Sequence, residues 1–423
     1  MTDFVRIFRN SAPYIHAYRG KTAVVWVRGT VLSPSSVHAL VSDLALLNSL
    51  GMKLLLLFDA EDEVGELRLD EHAQIDVDAM DAILNRIGHW RSRLEAQFTQ
   101  GLANSPMHGA RVRVISGNFV TARPTGVVDG VDLLAQGRVR RIDHLAIREH
   151  LDKGNIVLMP PLGYSVTGEV FYLAPDHLMV ETARRMDADK IVIVGDNPHP
   201  VTGNQKEMDA FELRRCLEGK TGLAAGEREL LTALAASEAG IPRCHVIDGH
   251  QDGALLAELF TRDGVGTLIA RDRYDTFRPA RPDDINGILA LLQPLEERGI
   301  LVRRDREKLE NEISHFHVNE RDGMIVGCAA LYLIPDTEPQ VAELACVAVH
   351  QDYRQSGRGD ALLRALEKRA REHKVERLFV LTTQTAHWFA ERGFESAPVA
   401  ELPPERQSLY NFQRNSKVFF KSL

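Results

Sequence analysis

The stretch "VHQDYRQSGRGDALLRALEKRA", residues 349–370, runs from the end of an apolar strand into an amphipathic helix. Between the two, Arg354, Gly357 and Gly359 give the pattern R-x-x-G-x-G. Glycine has no Cβ, so the backbone can approach a ligand closely, and the first N–H groups of a helix are unpaired and partly positive. The pattern therefore favours an anion site at the start of the helix, although an ordinary strand-to-helix turn explains it as well.

The helix after this loop has the spacing of a surface helix that buries one face. Leu362, Leu366 and Ala370 recur at helical intervals, whereas Arg364 and Lys368 fall on the opposite face. A pyrophosphate group fits the start of such a helix, and the arginines of the loop can donate charge-assisted hydrogen bonds to it.

The length and charge of the chain limit the classes of protein to which it can belong. A chain of 423 residues exceeds the size at which a single hydrophobic core stops growing, so two domains are expected. The net charge of −8 argues against a partner that is nucleic acid or an anionic membrane, because such binders usually carry excess Lys and Arg. The N-terminus lacks the apolar core of a signal peptide, and no stretch approaches the length of a membrane span.

The cysteines and two histidines give no metal-binding pattern. The four cysteines are far apart in sequence: Cys216, Cys244, Cys328 and Cys346. This spacing predicts buried free thiols rather than disulfides or metal ligands, which suits a reducing cytoplasm. His315 and His317 alternate like residues on one face of a strand, but no third ligand has suitable spacing, so no metal site is predicted.

Short, fully apolar segments alternate with helical periodicity over the first two-thirds of the chain. The strand-like segments are TAVVWV (22–27), MKLLLLFD (52–59), RVRVISGN (111–118), GNIVLMPP (154–161), DKIVIVGD (189–196) and PRCHVID (242–248). After the first of them, a helix is predicted with Ser33 as N-cap and Pro34 at its first position. Apolar strands that alternate with helices predict an α/β domain, an open, mostly parallel sheet with helices on both faces.

A charged stretch with two prolines, "RDRYDTFRPARPDD", interrupts this alternation of strands and helices. The strands and helices of a smaller α+β unit follow it to the C-terminus. We therefore expect a first domain over residues 1–270, a linker over 271–276 and a second domain over 277–423.

The glycine loop and its surroundings resemble the GNAT acetyltransferase superfamily. The loop is similar to the acetyl-coenzyme A loop of that superfamily, and "ELACVAVH" (343–350) resembles its strand whose splayed backbone binds the pantetheine arm. The resemblance implies that acetyl-CoA is a co-substrate and that no cofactor is tightly bound. It implies contacts with the pyrophosphate at Arg354, Gln355, Ser356, Gly357, Arg358 and Gly359, and with the thioester oxygen at the N–H groups of Cys346, Val347, Ala348 and Val349.

Longer strings over residues 277–423 resemble the bacterial N-acetylglutamate synthase family. They are QPLEERGILVRRDREKLENEI (293–313), GCAALY (327–332), ELACVAV (343–349), LFVLTT (378–383), HWFAERGF (387–394) and LYNFQRNSKV (409–418). The resemblance implies direct transfer of the acetyl group from acetyl-CoA to the amino group of L-glutamate, the first step of arginine biosynthesis.

Acetyl transfer from a thioester needs a base for the α-ammonium group and an acid for the departing thiolate. The family resemblance implies that Glu343 is the base, although a glutamate at the entrance of a strand is often simply solvated. Thr382 aligns with the serine that donates the proton in that family, and Tyr410 is the alternative donor.

L-Glutamate carries two carboxylates, which planar cation forks bind well. The resemblance implies Arg304, Arg414 and Ser416 as contacts of the substrate, with Arg406 as a weaker candidate. The alternative for Arg304 is that it belongs to the charged run "RRDREK".

The first domain resembles the amino-acid kinase fold, and in particular the arginine-sensitive acetylglutamate kinase family. The segment "HVIDGHQDGALLAELFTRDGVGT", residues 245–267, is close to the one that forms the arginine pocket there. The implied contacts of the effector L-arginine are His245, Glu258, Gly264, Gly266 and Thr267, and Tyr14 in an N-terminal helix. The resemblance also implies a homo-oligomer, a hexamer, with feedback inhibition by arginine.

One departure from the kinase pattern bears on the function of the first domain. The kinase family has K-x-G-G after its first strand, whereas Trp26, Val27, Arg28 and Gly29 stand here. Because phosphoryl transfer needs positive charge placed against the phosphate, we expect a catalytically silent, arginine-sensing domain. The alternatives are a bifunctional kinase and acetyltransferase, a non-enzymatic arginine sensor whose second domain has lost activity, and an acetyltransferase of protein lysines.

Overall fold

The computed structural model divides the chain into two compact units, Met1–Asp272 and Arg273–Leu423, which are described separately. This boundary falls within the segment predicted as a linker. The structure describes residues 2–59, 73–100, 112–220, 224–261, 264–270, 276–321, 323–335, 337–354, 357–410 and 415–423.

The N-terminal unit alternates strands and helices along most of its length. Its helices are α1 (Thr2–Tyr18), α2 (Ser36–Ser49), α3 (Val77–Gln100), α4 (His144–Asp152), α5 (Pro175–Met186), α6 (His199–Thr202), α7 (Ala210–Leu217), α8 (Glu227–Glu238) and α9 (Ala254–Phe260). Its strands are β1 (Thr22–Val27), β2 (Lys53–Phe58), β3 (Val114–Ile115), β4 (Val120–Pro124), β5 (Val127–Val128), β6 (Val131–Asp132), β7 (Gln136–Ile142), β8 (Ile156–Met159), β9 (Leu162–Tyr164), β10 (Val170–Leu173), β11 (Lys190–Gly195), β12 (Glu207–Asp209), β13 (Arg243–Asp248) and β14 (Thr267–Ala270).

Eight of these strands form the central sheet in the order β12-β14-β13-β11-β1-β2-β8-β3. The neighbouring pairs are parallel except β13 and β14, which are antiparallel. Four further strands, β4, β7, β9 and β10, close into a small barrel, and β5 and β6 form a two-stranded hairpin.

Strand β1 explains why the central strands are apolar at every position. Val25 and Val27 pack into the core on one face of the sheet, and Val24 and Trp26 pack into the core on the other. Successive side chains of a strand point to opposite faces, so a sheet covered on both faces needs apolar residues throughout. The predicted mostly parallel sheet with helices on both faces is confirmed.

The C-terminal unit is a mixed α+β structure. Its elements are β15 (Thr276–Pro279), α10 (Ile285–Glu297), α11 (Arg306–Glu312), β16 (Phe316–Arg321), β17 (Met324–Leu333), β18 (Val341–Val349), α12 (Arg358–Glu372), β19 (Arg377–Thr382), α13 (Ala386–Ala390), β20 (Glu395–Ala397), α14 (Pro404–Ser408) and β21 (Lys417–Ser422). They form a seven-stranded sheet in the order β15-β16-β17-β18-β19-β21-β20.

The two faces of this second sheet are covered by different helices. The buried stripe of α12, formed by Leu362, Leu366 and Ala370, packs on one face, and α10 packs on the other. Arg364 and Lys368 of α12 are exposed, so both predicted faces of this helix are confirmed. Among the residues that the structure describes, no helix combines the length and the hydrophobicity of a membrane span.

One predicted helix start is wrong. Helix α2 begins at Ser36 with Ser35 in the N-cap position, two residues after the predicted cap at Ser33. The Ser33 hydroxyl still accepts a hydrogen bond from the Ser36 N–H at 3.2 Å. The serine side chain therefore stabilises a turn before the helix rather than the first turn of the helix itself.

Candidate active site

Strands β18 and β19 run side by side and then separate. They pair in parallel over three positions, from Val341 with Arg377 to Glu343 with Phe379. Beyond Glu343, β18 keeps its antiparallel pairing with β17 up to Val349. Among the described residues, no strand pairs with the other edge of β18 over this second half. The separation leaves one edge of the backbone of residues 344–349 available to an extended ligand.

The second half of β18 also carries an irregular backbone. Cys346 has a φ of 54°, which is uncommon for a residue other than glycine, and the register between β17 and β18 shifts between Cys328 and Ala330. The Cys328 thiol donates to the Cys346 carbonyl oxygen at 3.6 Å. This bulge turns the backbone at the positions predicted to contact the thioester.

Glu343 lies at the point where the two strands separate. Its side chain is buried, and its Oε2 forms an ion pair with Nη2 of Arg406 in α14. Burial raises the pKa of Glu343 above its ordinary value, although Arg406 and Arg304 oppose this shift. The site therefore contains a buried carboxylate whose proton affinity is increased by desolvation and moderated by cations.

Tyr332, Glu312 and Arg304 also lie near Glu343. Of these three, only Arg304 was predicted from the sequence. Tyr332 of β17 is the direct cross-strand partner of Glu343, and its hydroxyl donates to Glu312 Oε2 at 2.6 Å. Arg304 Nε lies 3.6 Å from the same Glu312 oxygen. The Arg406 guanidinium lies over the Tyr332 ring at 5.8 Å. Tyr332 was visible within "GCAALY", but its role depends on the β17–β18 register.

Two of the predicted hydroxyl groups lie near the C-terminal end of β19. The Thr382 hydroxyl accepts from the Thr385 N–H at 3.0 Å and lies 2.7 Å from the Thr385 hydroxyl. The Tyr410 hydroxyl donates to the Ser416 carbonyl oxygen at 2.6 Å. Since Lys417 pairs with Thr382 in the sheet, Ser416 and Tyr410 belong to the same region as Thr382. Arg414 lies outside the described residues.

The glycine loop leads directly into α12. Gly357 is the N-cap residue with a φ of 74°, a conformation that favours glycine. As a glycine, it has no side chain with which to cap the first turn of α12. The Arg358 guanidinium lies 4.9 Å from the centre of the Tyr353 ring, and Arg354 Nε donates to the Val349 carbonyl oxygen at 3.3 Å. Gln355 and Ser356 lie outside the described residues.

The predicted effector residues of the N-terminal unit form a compact buried cluster. His245 Nδ1 lies 2.7 Å from Glu258 Oε1, and Glu258 Oε2 accepts from the N–H groups of Val265 and Gly266, each at 2.8 Å. Burial opposes ionisation of Glu258, but the hydrogen bonds from His245 and the two amides prevail and lower its pKa. A Cβ on Gly264 would lie 2.4 Å from Glu258 Oε2, so this backbone lies against the carboxylate.

His245 has one ring nitrogen that is available to a ligand. Burial lowers the pKa of His245, so the ring is neutral and its Nδ1–H donates to Glu258. Its Nε2 is then an acceptor, buried and without a hydrogen-bond partner among the described residues. The Thr267 hydroxyl, in contrast, donates to the Gln205 carbonyl oxygen at 3.0 Å.

Helix α1 packs near this cluster through aromatic rings. The Tyr14 ring lies 6.3 Å from that of Tyr18, which lies 6.2 Å from Phe260 at the end of α9. Lys190 is buried, with its Nζ 3.3 Å from the centre of the Tyr18 ring. Lys190 was not predicted, because in sequence it is only the first residue of an apolar strand.

Comparison with known proteins agrees with both units. Residues 21–248 match the amino acid kinase family, and residues 285–394 match the acetyltransferase (GNAT) family. Over all of both chains, the protein is 46% identical to the amino-acid acetyltransferase of Azotobacter vinelandii and 44% identical to that of Pseudomonas aeruginosa. The chain belongs to the amino-acid acetyltransferase family.

This acetyltransferase also resembles solved structures over nearly its whole length. N-Acetylglutamate synthase from Neisseria gonorrhoeae complexed with coenzyme A and L-arginine is 36% identical, with a TM-score of 0.85 and 99% of each chain covered. The complex of that protein with coenzyme A and N-acetyl-glutamate gives a TM-score of 0.61 at 37% identity and the same coverage. The predicted fold class and the predicted enzyme class are thereby confirmed.

The kinase-like unit of the acetyltransferase has an unusual cluster at the carboxyl ends of its central strands. Arg28 follows β1, and its Nη1 lies 3.1 Å from Glu229 Oε1 while its Nε lies 3.2 Å from Asp59 Oδ2. All three side chains are buried. Burial raises the pKa of Glu229, although Arg28 opposes the shift. In open α/β sheets, ligands bind at these strand ends, and here the position contains two carboxyl groups around one guanidinium.

The histidines and cysteines of the acetyltransferase form no metal site among the described residues. Within the described ranges, no three His, Cys, Asp or Glu side chains come together as a metal site. His315 lies in a short 3₁₀ turn and His317 lies in β16, so these two do not share the strand face that the sequence suggested. All four cysteines are free.

Proposed function

We propose that the protein is an acetyl-CoA:L-glutamate N-acetyltransferase that catalyses the first step of arginine biosynthesis and is inhibited by L-arginine. The observation that carries the catalytic part is the buried carboxylate of Glu343 at the separation of β18 and β19, with Arg304 and Arg406 beside it. One region thus contains three features that the reaction needs. They are a base, two cations for a dicarboxylate, and the open edge of β18 for an extended co-substrate.

Glu343 acts as the general base in this proposal. Burial raises the pKa of its carboxyl group, which brings its proton affinity closer to the working pH of a base. The ion pair with Arg406 keeps the group ionised before the substrate binds. Glu343 takes the proton of the glutamate α-ammonium group, directly or through a water molecule, and the neutral amine attacks the thioester carbon.

Transfer of the acetyl group is direct. Backbone N–H groups of residues 346–349 bind the thioester oxygen, where negative charge develops in the transition state. Acetylation of Cys346 would need its thiolate, and burial raises the pKa of this thiol to about 11. Cys346 therefore stays protonated, which supports attack by the substrate amine itself.

Thr382 is the proposed acid for the departing thiolate. The proton of the Tyr410 hydroxyl is already donated to the Ser416 carbonyl oxygen at 2.6 Å. The Thr382 hydroxyl accepts from the Thr385 N–H and shares a 2.7 Å hydrogen bond with the Thr385 hydroxyl, in which either oxygen can be the donor. When Thr385 donates in that pair, the Thr382 proton is available for the thiolate. Tyr410 is the second candidate, since a short movement would release its phenol.

The substrate carboxylates bind to arginines. Arg304 and Arg406 supply two guanidinium groups next to Glu343, and Arg414 and Ser416 complete the proposed set. A dicarboxylate that takes Arg406 away from Glu343 would also raise the proton affinity of the base when the substrate is present.

L-Arginine is the proposed effector of the kinase-like unit. The free Nε2 acceptor of His245 suits a guanidinium or ammonium donor, and the ionised Glu258 nearby supplies negative charge. Tyr14, Gly264, Gly266 and Thr267 belong to the same proposed pocket. The N. gonorrhoeae relative is complexed with L-arginine and coenzyme A, which supports an arginine site in this family.

Assembly and location complete the proposal. We infer a cytoplasmic homo-oligomer, a hexamer, and exposed apolar side chains on α1 such as Ile7 and Phe8 support association. Light scattering of the purified protein tests the number of subunits.

Thiol release from acetyl-CoA tests the proposed reaction. A panel of amino acids is compared, with and without L-arginine. Release that depends on glutamate and decreases with arginine is expected, whereas the absence of glutamate-dependent release would exclude the proposed reaction. Release that is insensitive to arginine would exclude the effector proposal alone.

The bifunctional alternative, a kinase joined to an acetyltransferase, is disfavoured by the Arg28 cluster. The carboxylates of Asp59 and Glu229 surround Arg28, so this cation is already paired and the site would repel a phosphate. Incubation with ATP and N-acetylglutamate should give no phosphorylated product. The sensor alternative predicts no turnover at all, and the protein-lysine alternative predicts thiol release with peptides instead of glutamate.

A further inference from the structure

We propose that Arg392 is a positioning residue for the acetyl donor, because it holds the Asp360 carboxylate away from the start of α12. This inference rests on the proposed pyrophosphate seat at that helix start. The side chains involved lie outside the glycine loop. They are not among the site residues described above.

Asp360 occupies a position where an acidic residue normally closes a helix N-terminus. It is the third residue of α12 after the N-cap Gly357. A carboxylate there usually folds back onto the backbone N–H groups of the first turn and stabilises them. If it did so here, it would cover the amides to which the pyrophosphate binds and would repel its negative charge.

The Asp360 carboxylate takes a different direction. Its Oδ1 accepts from Nε of Arg392, and the N-cap residue Gly357 has no side chain with which to cap the helix. The hydrogen bond with Arg392 lowers the pKa of Asp360, so the carboxylate is ionised and its charge has to be balanced. Arg392 thus binds the Asp360 carboxylate in place of the first amides of α12 and balances the negative charge beside them.

Arg392 is itself held in place on the other side. Its Nη1 donates to the Trp388 carbonyl oxygen at 2.8 Å and to Glu391 Oε2 at 3.2 Å, and its guanidinium lies 4.1 Å from the centre of the Trp388 ring. These contacts come from the end of α13, so the arginine reaches α12 in a defined orientation.

The same tryptophan also touches the glycine loop. A Cβ on Gly359 would lie 3.0 Å from Trp388 Cζ2, so the helix start and the indole are in close contact. We refer to Asp360, Trp388 and Arg392 as the helix clasp. The clasp fixes the position of the α12 N-terminus through packing and adjusts its charge through the ion pair.

The test is a charge-rescue experiment on the full-length enzyme. Arg392→Gln should raise KM for acetyl-CoA about 3- to 5-fold, the upper part of the range of a partly exposed charge pair, with kcat changed less than about 2-fold. Adding Asp360→Asn to this variant should return KM to within about 2-fold of the parent, because the uncompensated charge is then gone. Arg371→Gln, at the far exposed end of the same helix, makes the same change in net charge and serves as the control.

Each outcome separates an electrostatic role from a structural one. If the double variant is no better than Arg392→Gln, or if both lose kcat and thermal stability together, the proposed role is wrong. An unchanged KM in Arg392→Gln also overturns it. The dissociation constant of coenzyme A, measured by calorimetry for the same variants, should follow the same order.

The calorimetric measurement also keeps the two proposals distinguishable. If the parent lacks glutamate-dependent activity but binds coenzyme A with the expected order among variants, the substrate assignment fails and the clasp stands. If the parent is fully active while the variants bind coenzyme A equally well, the clasp fails alone.

Discussion

The environment of Glu343 is formed by residues that are distant from it in the sequence. Its carboxylate is buried where β18 leaves β19, its cross-strand partner is Tyr332, and its counter-ion Arg406 comes from α14. Burial and the neighbouring cations act on the same pKa in opposite directions. The pKa of this proposed base therefore depends on whether Arg406 pairs with Glu343 or with a bound anion.

Replacing Glu343 with glutamine should separate catalysis from binding. Glu343→Gln keeps the size of the side chain but removes the base, so kcat should decrease about 10²- to 10⁴-fold. The dissociation constant of coenzyme A, measured by calorimetry, should stay close to that of the parent. A variant that loses coenzyme A binding instead would show that Glu343 supports the strand edge rather than the chemistry.

The Arg406→Gln variant should change the pH dependence. As a base, Glu343 works when deprotonated, so kcat/KM for glutamate falls as the pH drops below its raised pKa. Arg406 lowers that pKa, and its removal should move the acidic limb of the profile to higher pH. KM for glutamate should rise as well, because a carboxylate loses its cation.

The control for this prediction is an exposed arginine of the same unit. Arg371→Gln removes a positive charge from the exposed surface of α12 and should leave the acidic limb where it is. If both variants shift the profile equally, the effect belongs to net charge and not to the Arg406–Glu343 pair.

At the scale of elements, the end of β19 brings hydroxyl groups into the site. Thr382 ends the strand, and its hydroxyl accepts from the Thr385 N–H that begins the following turn. The strand thus supplies a donor at a defined position, while the turn orients it. The methyl group that distinguishes threonine from serine restricts the rotamer of this hydroxyl.

Removing the Thr382 hydroxyl should slow turnover. Thr382→Val should lower kcat about 10²-fold or more if this hydroxyl protonates the thiolate, whereas Thr382→Ser keeps the donor and should stay near the parent. Steady-state rates with acetyl-CoA and glutamate measure both. A larger loss in Tyr410→Phe than in Thr382→Val would transfer the role of acid to the phenol.

The left-handed N-cap of α12 gives a second prediction at this scale. Gly357→Ala places a Cβ on a residue with a φ of 74°, which costs about 1–2 kcal/mol. If the loop relaxes to avoid this strain, the helix amides move, and KM for acetyl-CoA should rise. Gly299 has a φ of 69° and equally open surroundings, so Gly299→Ala is the matched control that should affect stability but not this KM.

The secondary structure of these elements was largely predictable because it depends on local spacing. Contacts between elements were not, because they depend on how the chain folds. The buried stripe of α12 follows from helical spacing of Leu362, Leu366 and Ala370, because that spacing depends only on local geometry. Asp284 occupies the N-cap position of α10, where acidic side chains are common. Its carboxylate, however, binds the Arg278 guanidinium at 2.7 and 2.8 Å, a contact that requires β15 to fold back beside it.

At the scale of the whole molecule, the kinase-like unit has the fold of the amino acid kinase family and contains two buried polar clusters. The strand ends contain Arg28 between Asp59 and Glu229, while His245 and Glu258 form a separate polar cluster. Inhibition requires only that arginine bind unequally to two states of the enzyme.

Weakening the proposed effector cluster should desensitise the enzyme. Glu258→Gln keeps acceptors for the two backbone amides but removes the charge, so the arginine concentration for half-inhibition should rise about 10-fold or more. The rate without arginine should be unchanged. Glu149→Gln alters an exposed glutamate of the same unit and should keep the parent's sensitivity. Full sensitivity in Glu258→Gln would remove this cluster from the arginine site.

The sequence by itself determined most strands of the central sheet, the buried face of α12 and the resemblance to a kinase-like and a GNAT unit, but not the small barrel of β4, β7, β9 and β10. Apolar runs and helical spacing depend on residues close together in the chain, and they remain readable without the fold. The tertiary structure decided which groups face each other: Arg406 with Glu343, Arg392 with Asp360, and Arg28 with Asp59 and Glu229. These partners lie roughly 30 to 200 residues apart, and strand register and helix packing, not local periodicity, bring such residues together.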